Sequence, residues 1–464
     1  MQKVFDEVYS LDKRCYDEFG LNEDILMENA AQALSRHIYK KFKKGSSVFI
    51  LCGPGNNGAD GITLGRILQG DYKVYLYLPL GAKSKMCQLQ LKRAKKVGIV
   101  PIDGIKECDI VVDAIFGSGL NKPLSEDVIK LINKINFFKS YKIACDMPTG
   151  IDTKGNPNPQ AFKADITISM GAYKTALFND NAKDFIGKVK VANLGVSRAI
   201  YESKSDTFLL EKRDMKLPIR EQKNSNKGDF GHSLMILGEK KGACIIAAQS
   251  SFAFGVGLCS VYSKKAVKLP KEIMLTKSIP PNTTSIALGM GLADRYDHKL
   301  IEEIIALDIP LVLDADILKS ELILKILAKR KEIVLTPHPK EFSYLLKICG
   351  FGEFEVKDIQ SDRFKLAREF TKKYKDIVLL LKGSNTLISQ NRRVFINTFG
   401  TNALSKGGSG DVLSGLIASL LAQGYTTLDA TISASLAHSF AAKRFKKANY
   451  SLGPCDLIEG IKCL

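Results

Sequence analysis

The stretch Asn402 to Leu421, NALSKGGSGDVLSGLIASLL, joins a glycine-rich turn to an aspartate and then to an amphipathic helix. Apolar residues at Val412, Leu413, Leu416, Ile417, Leu420 and Leu421 recur at helical spacing. That predicts a helix from near Asp411, with Gly407, Gly408 and Gly410 as its approach. Glycines there let several peptide N–H groups converge on an anion at the positive end of the helix, which makes a phosphate seat. A carboxylate beside that seat is repelled by phosphate, so Asp411 is suited to taking a proton from a hydroxyl that attacks phosphorus. A plain turn with Asp411 as a helix cap accounts for the same letters.

Three further carboxylates follow apolar runs in the first half. Asp60 lies in NNGAD (56–60), Asp113 opens DAIFGSGLNKP (113–123) and Asp146 opens DMPTGID (146–152). If these runs are parallel strands, the three loops share one carboxyl edge, where open α/β sheets bind their ligands. Crowded carboxylates call for a cation or for a raised pKa suited to proton transfer. Asp113 or Asp146 taken singly is as well explained as a helix cap. GPGNNGADG does not fit GxGxxG, and no acid stands at the end of the next strand to hold a ribose, so an ordinary nicotinamide dehydrogenase is a poor reading.

The elements that must position these residues are legible in the hydrophobic pattern. Apolar runs at 46–51, 74–78, 109–112 and 142–145 alternate with helical segments, one of them 23–41, a lid or flank, and another 62–68. This predicts a doubly wound, mostly parallel sheet. A strand-like 188–196 closes the first half, and residues 203–230 are polar and aperiodic, as a linker would be. A second alternation follows, with strands expected at 232–237, 258–262, 285–288, 310–313, 333–335 and 377–381. The chain is therefore expected to be α/β with two domains, at 1–205 and 211–464. A length of 464 residues suits two cores.

Composition narrows the class. Apolar residues make up 45% and charged residues 25%, and no apolar run approaches the ~20 residues that cross a bilayer. The acidic, coreless start MQKVFDEVYSLDKRC is no secretory signal, and ten scattered cysteines without CxxC or zinc spacing read as reduced thiols, so a cytoplasmic protein is expected. The formal charge of +19 raises nucleic acid as a partner. Yet KKFKK (40–44), KRAKK (92–96) and KRFKK (443–447) fall at the ends of helical patterns, where lysine complements the helix dipole. No aromatic-interleaved basic motif accompanies them, so neither nucleic acid nor membrane is an expected partner. Homo-oligomerisation is left open.

GPGNNGADG, DAIFGSGLNKP and DMPTGID resemble the motifs of the NAD(P)H-hydrate epimerase domain, over roughly residues 1 to 205. The resemblance implies a Rossmann-like sheet and substrate contacts from Asn56, Asn57, Gly58, Ala59, Asp60, Gly117, Ser118, Gly119, Leu120, Asn121, Lys122, Pro123 and Asp146. It also implies potassium held by Asn57, Asp113 and Thr149. Ala59 and Thr149 stand where that family usually has glycine and serine.

KGDFGHSLMILG, GACIIAAQ, LDADIL, TPHPKEF, LLLKGSNTLIS and GGSGDVLSG, in that order, resemble the ADP-dependent NAD(P)H-hydrate dehydratase domain, which has the ribokinase-like fold. Carried over, Gly291, His338 and Asp411 contact the hydrate, while Lys382, Gly383, Ser384, Asn385, Thr386 and Gly410 bind the nucleotide. Met290 and Ala293 depart from the usual pattern around Gly291. From the residues alone, His338 could equally cap a loop and Lys382 could snorkel from an apolar run; the flanking prolines and the adjacent Gly383 and Thr386 favour ligand contacts.

Together the resemblances imply one repair enzyme for hydrated NADH and NADPH. It would epimerise the R and S hydrates and dehydrate the S form with ADP as co-substrate, yielding AMP, phosphate and the restored cofactor. Asp411 would be the base, and magnesium would accompany the nucleotide on protein ligands that the residues do not identify. A vitamin- or sugar-type kinase would use the same GGSGD turn, and a non-catalytic nucleic-acid binder would use the basic surface.

Overall fold

The computed structural model describes residues 1–293 and 297–464. It divides into two compact units, Lys3–Thr207 and Phe208–Leu464, the latter joined by Met1–Gln2. No described helix is long and apolar enough to cross a membrane, and all ten cysteines are free, eight of them buried.

The N-terminal strands are β1 (Gln2–Phe5), β2 (Ser47–Cys52), β3 (Lys73–Tyr77), β4 (Ile110–Ala114), β5 (Tyr141–Cys145), β6 (Ile166–Met170), β7 (Tyr173–Lys174) and β8 (Lys188–Ala192). Six of them form a sheet in the order β3-β2-β4-β5-β6-β8, every neighbour parallel. The order reverses between β2 and β4, so the segments leaving those strands diverge and open a crevice at their carboxyl ends. Helix Glu23–Lys41 runs where its periodicity predicts. It buries Leu26, Ala30, Leu34 and Ile38 in the core, as a flank and not a lid.

In the second unit, β9 (Thr207–Leu209), β10 (His232–Ile236), β11 (Leu258–Tyr262), β12 (Met274–Thr276), β13 (Ser285–Leu288), β14 (Leu311–Leu313), β15 (Ile333–Leu335), β16 (Val378–Leu381), β17 (Thr386–Gln390) and β18 (Arg393–Asn397) follow in turn. The order β12-β11-β10-β13-β14-β15-β16 is parallel, and β17 and β18 extend it antiparallel. Helix Ser409–Ala422 packs across this sheet with Lys241–Ala253 so closely that a Cβ on Gly415 would lie 2.0 Å from Ser250 Oγ.

Several expectations need correction. NNGAD is no loop. The helix expected at 62–68 starts at Asn56, because Gly53 and Gly58 let its first turn settle onto the end of β2. A Cβ on Gly58 would stand 1.9 Å from Gly53 O. Helix Ser409–Ala422 likewise starts before Asp411; Gly408 caps it in the left-handed conformation (φ 88°), and Gly410 lies inside its first turn. The segment 203–230 is not wholly irregular, since it holds β9 and short 3-10 turns at Lys212–Asp214 and Lys227–Phe230. Strands β1, β6, β7, β12, β17 and β18 lie outside the expected set as well.

Gly58→Ala is expected to destabilise the N-terminal unit by about 1–3 kcal/mol, the usual cost of overpacking. A urea midpoint unchanged from wild type would show that the first helical turn can retreat from Gly53.

Candidate active sites

At the first switch point a cavity of about 480 Å³ is walled by Val8, Asp12, Asn57, Asp60, Asp146 and Met170 with the 115–120 loop. A smaller adjoining cavity of about 310 Å³ shares Phe116, Gly119 and Leu120 and adds Asn121, Lys122 and Pro123. Asn56, Asn57, Asp60, Gly117, Ser118, Gly119, Leu120 and Asp146 thus face the larger cavity. Gly58 and Ala59 do not, because the helical turn directs them inward; Ala59 is fully buried in the core.

Asp146 adopts a left-handed backbone (φ 66°), which turns its carboxylate into a nest of donors. Ser118 N donates to Oδ2 at 3.0 Å and Met170 N to Oδ1 at 3.0 Å. Lys174 Nζ donates to Oδ1 at 2.5 Å, while also reaching Ser169 Oγ at 2.9 Å. Burial alone would raise the Asp146 pKa, but the Lys174 charge and these donors hold it below the usual carboxylate range. Lys174, almost wholly buried, was not singled out from the sequence. The available signal was a lysine four residues beyond the segment ITISM.

The carboxylates crowd as expected, but with one different member. Burial, reinforced by Asp146, Asp12 and Glu23, pushes the Asp60 pKa well up. Asp12, unnoticed in the sequence, lines the cavity and accepts from Tyr201 OH at 2.7 Å. Asp113 instead lies behind the wall. Its carboxylate accepts from Thr149 N and Thr149 Oγ1, each at 2.7 Å, and from Ile115 N at 3.2 Å. Burial pushes its pKa to about 6, with no neighbouring acid contributing. Asp113 and Thr149 therefore meet directly. Asn57 hydrogen-bonds neither, and its buried Nδ2 has no hydrogen-bond partner among the described residues.

In the second unit, Asp314, the TPHP loop and Lys382 leave the carboxyl ends of the neighbouring strands β14, β15 and β16. Lys382 N donates to Pro337 O at 2.9 Å. Its ammonium donates to Asp314 Oδ1 at 2.7 Å and lies 3.3 Å from where a Cβ on Gly410 would be. Asp314, buried, also accepts from Ser414 Oγ at 2.7 Å and Ala315 N at 2.9 Å. The structure thus brings Lys382, Gly410 and Asp411 together and adds Asp314, whose motif LDADIL carried no assigned role in the sequence reading. Partial burial, then the nearby Asp314 charge, push Asp411 up to about 6 against the opposing pull of Lys382.

Ser384 and Asn385 lie in the turn before Thr386 opens β17. Gly291 has φ 66° and accepts, through its carbonyl, from Lys240 N at 3.0 Å. His338 is a helix cap. Its Nδ1 accepts from Glu341 N at 3.2 Å and its Nε2 lies 3.1 Å from Glu341 Oε1, so the glutamate engages both ring nitrogens. Pro339 opens that helix, and the His338 side chain stays 46% exposed.

Two family models match the chain, one described as YjeF-related protein N-terminus over residues 23–176 and one as NAD(P)H-hydrate dehydratase over residues 233–462. Across its whole length the chain is 46% identical to the bifunctional NAD(P)H-hydrate repair enzyme Nnr of Helicobacter pylori, with 100% of both chains covered. The chain belongs to this repair-enzyme family. The Coxiella burnetii member is 31% identical over 92% of this chain and 91% of its own. Among solved structures, a ribokinase-like superfamily protein of Enterococcus faecalis is similar at TM-score 0.48 and 20% identity, over 56% of this chain and 96% of that one.

A carboxyl whose folded pKa is raised stabilises the fold only where it is protonated. For Asp411 that contribution is complete below pH 3.8 and is lost as pH rises through about 6. Asp411→Asn is therefore expected to raise the melting temperature at pH 7 to 8, by roughly 1–2 kcal/mol in stability, and to have little effect near pH 4. An equal change at both pH values would mean that Asp411 titrates as an ordinary surface carboxyl.

Proposed function

We propose that the chain repairs hydrated NADH and NADPH, the N-terminal unit interconverting the R and S hydrates and the C-terminal unit dehydrating the S hydrate at the expense of ADP. The observation that carries the reading is one member of this family bearing both a carboxylate-lined cavity at its first switch point and a lysine with a raised carboxyl at a helix N-terminus in its second unit. Neither half alone would clear both stereoisomers.

The hydrate bears a hydroxyl on carbon 6 of the nicotinamide ring. In the C-terminal unit Asp411 takes the hydroxyl proton as the oxygen attacks the terminal phosphorus of ADP, and AMP departs. Lys382 and the first-turn N–H groups at Gly410 and Asp411 face the charge that develops on the transferred phosphoryl group. Phosphate then leaves carbon 6 with the C–O electron pair, the ring nitrogen supplies its lone pair, and loss of a proton from carbon 5 restores the double bond. Gly291 lies by the hydrate and the turn from Lys382 to Thr386 by the nucleotide. Magnesium accompanies the nucleotide as its counter-ion, with no protein ligand assigned.

In the N-terminal unit Asp113, Thr149 and Asn57 fit a potassium ion. They offer oxygen donors and a single negative charge, as a hard monovalent cation requires. Asp113 is a buried carboxylate with three hydrogen bonds and no ion-pair partner among the described residues, so a cation beside it would relieve the burial that raises its pKa. Thr149 Oγ1 accepts from Phe116 N at 2.9 Å and keeps a lone pair free. Turning over the Asn57 amide would put its oxygen where the unpartnered nitrogen now lies.

An R,S-hydrate mixture supplied with ADP is expected to be converted completely to reduced cofactor with stoichiometric AMP. Asp411→Asn is expected to lower the dehydration rate ~100- to 10,000-fold while stereoisomer exchange continues. A stable phosphate ester in place of recovered cofactor would mark a small-molecule kinase instead. For the cation, the melting temperature of the full chain should be higher in potassium chloride than in tetramethylammonium chloride of equal ionic strength. Asp113→Asn should abolish the difference, and a difference that survives the substitution would place the ion elsewhere.

A further inference from the structure

The proton-transfer group of the N-terminal cavity emerges from what each carboxylate there is already bonded to. Asp146 is committed to Ser118 N, Met170 N and Lys174 Nζ. Asp12 is committed to Tyr201 OH. Asp60 shares the cavity wall with both and has no hydrogen bond or ion pair with any described residue. It projects from the second turn of helix Asn56–Leu68, whose first turn is fixed by close contact at Gly58. A rigid helix therefore presents an unengaged carboxyl to the ligand space that also holds a second carboxylate pinned by a lysine.

We propose that Asp60 is the catalytic acid and base of stereoisomer exchange, protonating the hydroxyl that leaves carbon 6, while the anchored Asp146 carboxylate faces the cation left behind. The inference rests on the epimerase reading above and gives that site its chemistry. Carbon 6 is bonded to the ring nitrogen, so the hydrate is a carbinolamine. Asp60 gives its proton to the hydroxyl; the C–O bond breaks with both electrons leaving on oxygen, as water. The nitrogen lone pair forms a C=N bond, and the ring carries one positive charge against the negative charge of Asp146. Water then adds to either face of carbon 6 and returns its excess proton to Asp60. Oxidation state is unchanged and the enzyme is regenerated.

The electrostatics agree with this division of labour. Burial and the charges of Asp146, Asp12 and Glu23 favour the protonated form of Asp60, whereas Lys174 keeps Asp146 ionised. Asp12 is raised by burial as well, though Tyr201 OH holds it; Asp60 and Asp146, driven apart in one pocket, are the usual arrangement of an acid beside a charge stabiliser.

Departure and return of water predicts an isotope result. When pure R hydrate is epimerised by the full chain in ¹⁸O-water, each S molecule formed at early times should carry solvent oxygen at carbon 6. Retention of the original oxygen would overturn the proposal, because ring opening to an aldehyde keeps it. Asp60→Asn should lower the epimerisation rate by ~100-fold or more, with hydrate binding kept within several-fold by equilibrium dialysis, and Asp60→Glu should recover part of the rate. Asp60→Asn that folds and retains more than about a tenth of the rate would also overturn it. A wild-type chain that fails to exchange the isomers above the spontaneous rate would instead remove the epimerase reading itself.

Discussion

A lysine–aspartate ion pair at the carboxyl edge of each sheet is the interaction around which both sites are arranged. Taking an ammonium and a carboxylate out of water costs several kcal/mol per ion, and their attraction offsets this only when further hydrogen bonds satisfy what remains. Both pairs meet that condition. Lys174 shares its protons among Asp146, Ser169 and the Met170 carbonyl, and Asp146 takes two backbone amides. Asp314 takes Lys382, Ala315 N and Ser414 Oγ. One lysine cannot neutralise two carboxylates. In each unit a second aspartate, Asp60 or Asp411, is left with a pKa raised first by burial and then by the neighbouring carboxylate, as the proposed proton-transfer roles require.

Part of the backbone strain lies at the same edges. Of the five non-glycine residues with positive φ among those described, Asn391 and Arg392 form the turn between β17 and β18, while Asp146 and Ala315 follow the ends of β5 and β14 and Ala293 lies in the loop after β13. Conformations of this kind cost of order 1–3 kcal/mol and persist where surrounding contacts over-determine them. For Asp146 those contacts are its three donors. Ala293 N donates to Asp316 Oδ2 at 2.9 Å, and Ala315 N to Asp314. The polar network that sets the charges therefore also fixes the backbone that carries them.

Much of this was legible in the sequence where periodicity and glycine chemistry act locally. The parallel strands that lead into motifs were placed to within a residue or two, and Lys382, Gly410 and Asp411 converge as their motifs implied. The failures share a cause. Lys174 and Asp314 matter through partners 28 and 68 residues away, which no local pattern displays. Asp113 and Asp60 look alike in sequence, each an aspartate in a motif at a strand end, yet one turns into the wall and the other into the cavity. The cap at His338, by contrast, is local, and a glutamate three residues on, the N3 position of a capping box, signals it in the sequence. β6, buried throughout but written as ITISM, was hidden by its hydroxyl residues.

The two departures from the usual epimerase motifs are absorbed for different reasons. Ala59 faces the core on the inner side of its helix, so its methyl group fills packing space and leaves the cavity wall unaltered. Thr149 is fully buried, and its hydroxyl donates to Asp113 while its amide holds the other carboxylate oxygen. The hydroxyl is thus fixed by backbone and side chain together. A β-branched residue with few rotamers suits such a position, because the conformational freedom it lacks need not be lost on folding. The basic clusters follow the same economy of position. Lys40 and Lys41, Lys95 and Lys96, and Lys443 and Arg444 occupy the last turns of their helices, where positive charge meets the negative end of the helix dipole. These charges are thereby tied to helix ends, and the cation at the second site, Lys382, is held by a buried aspartate.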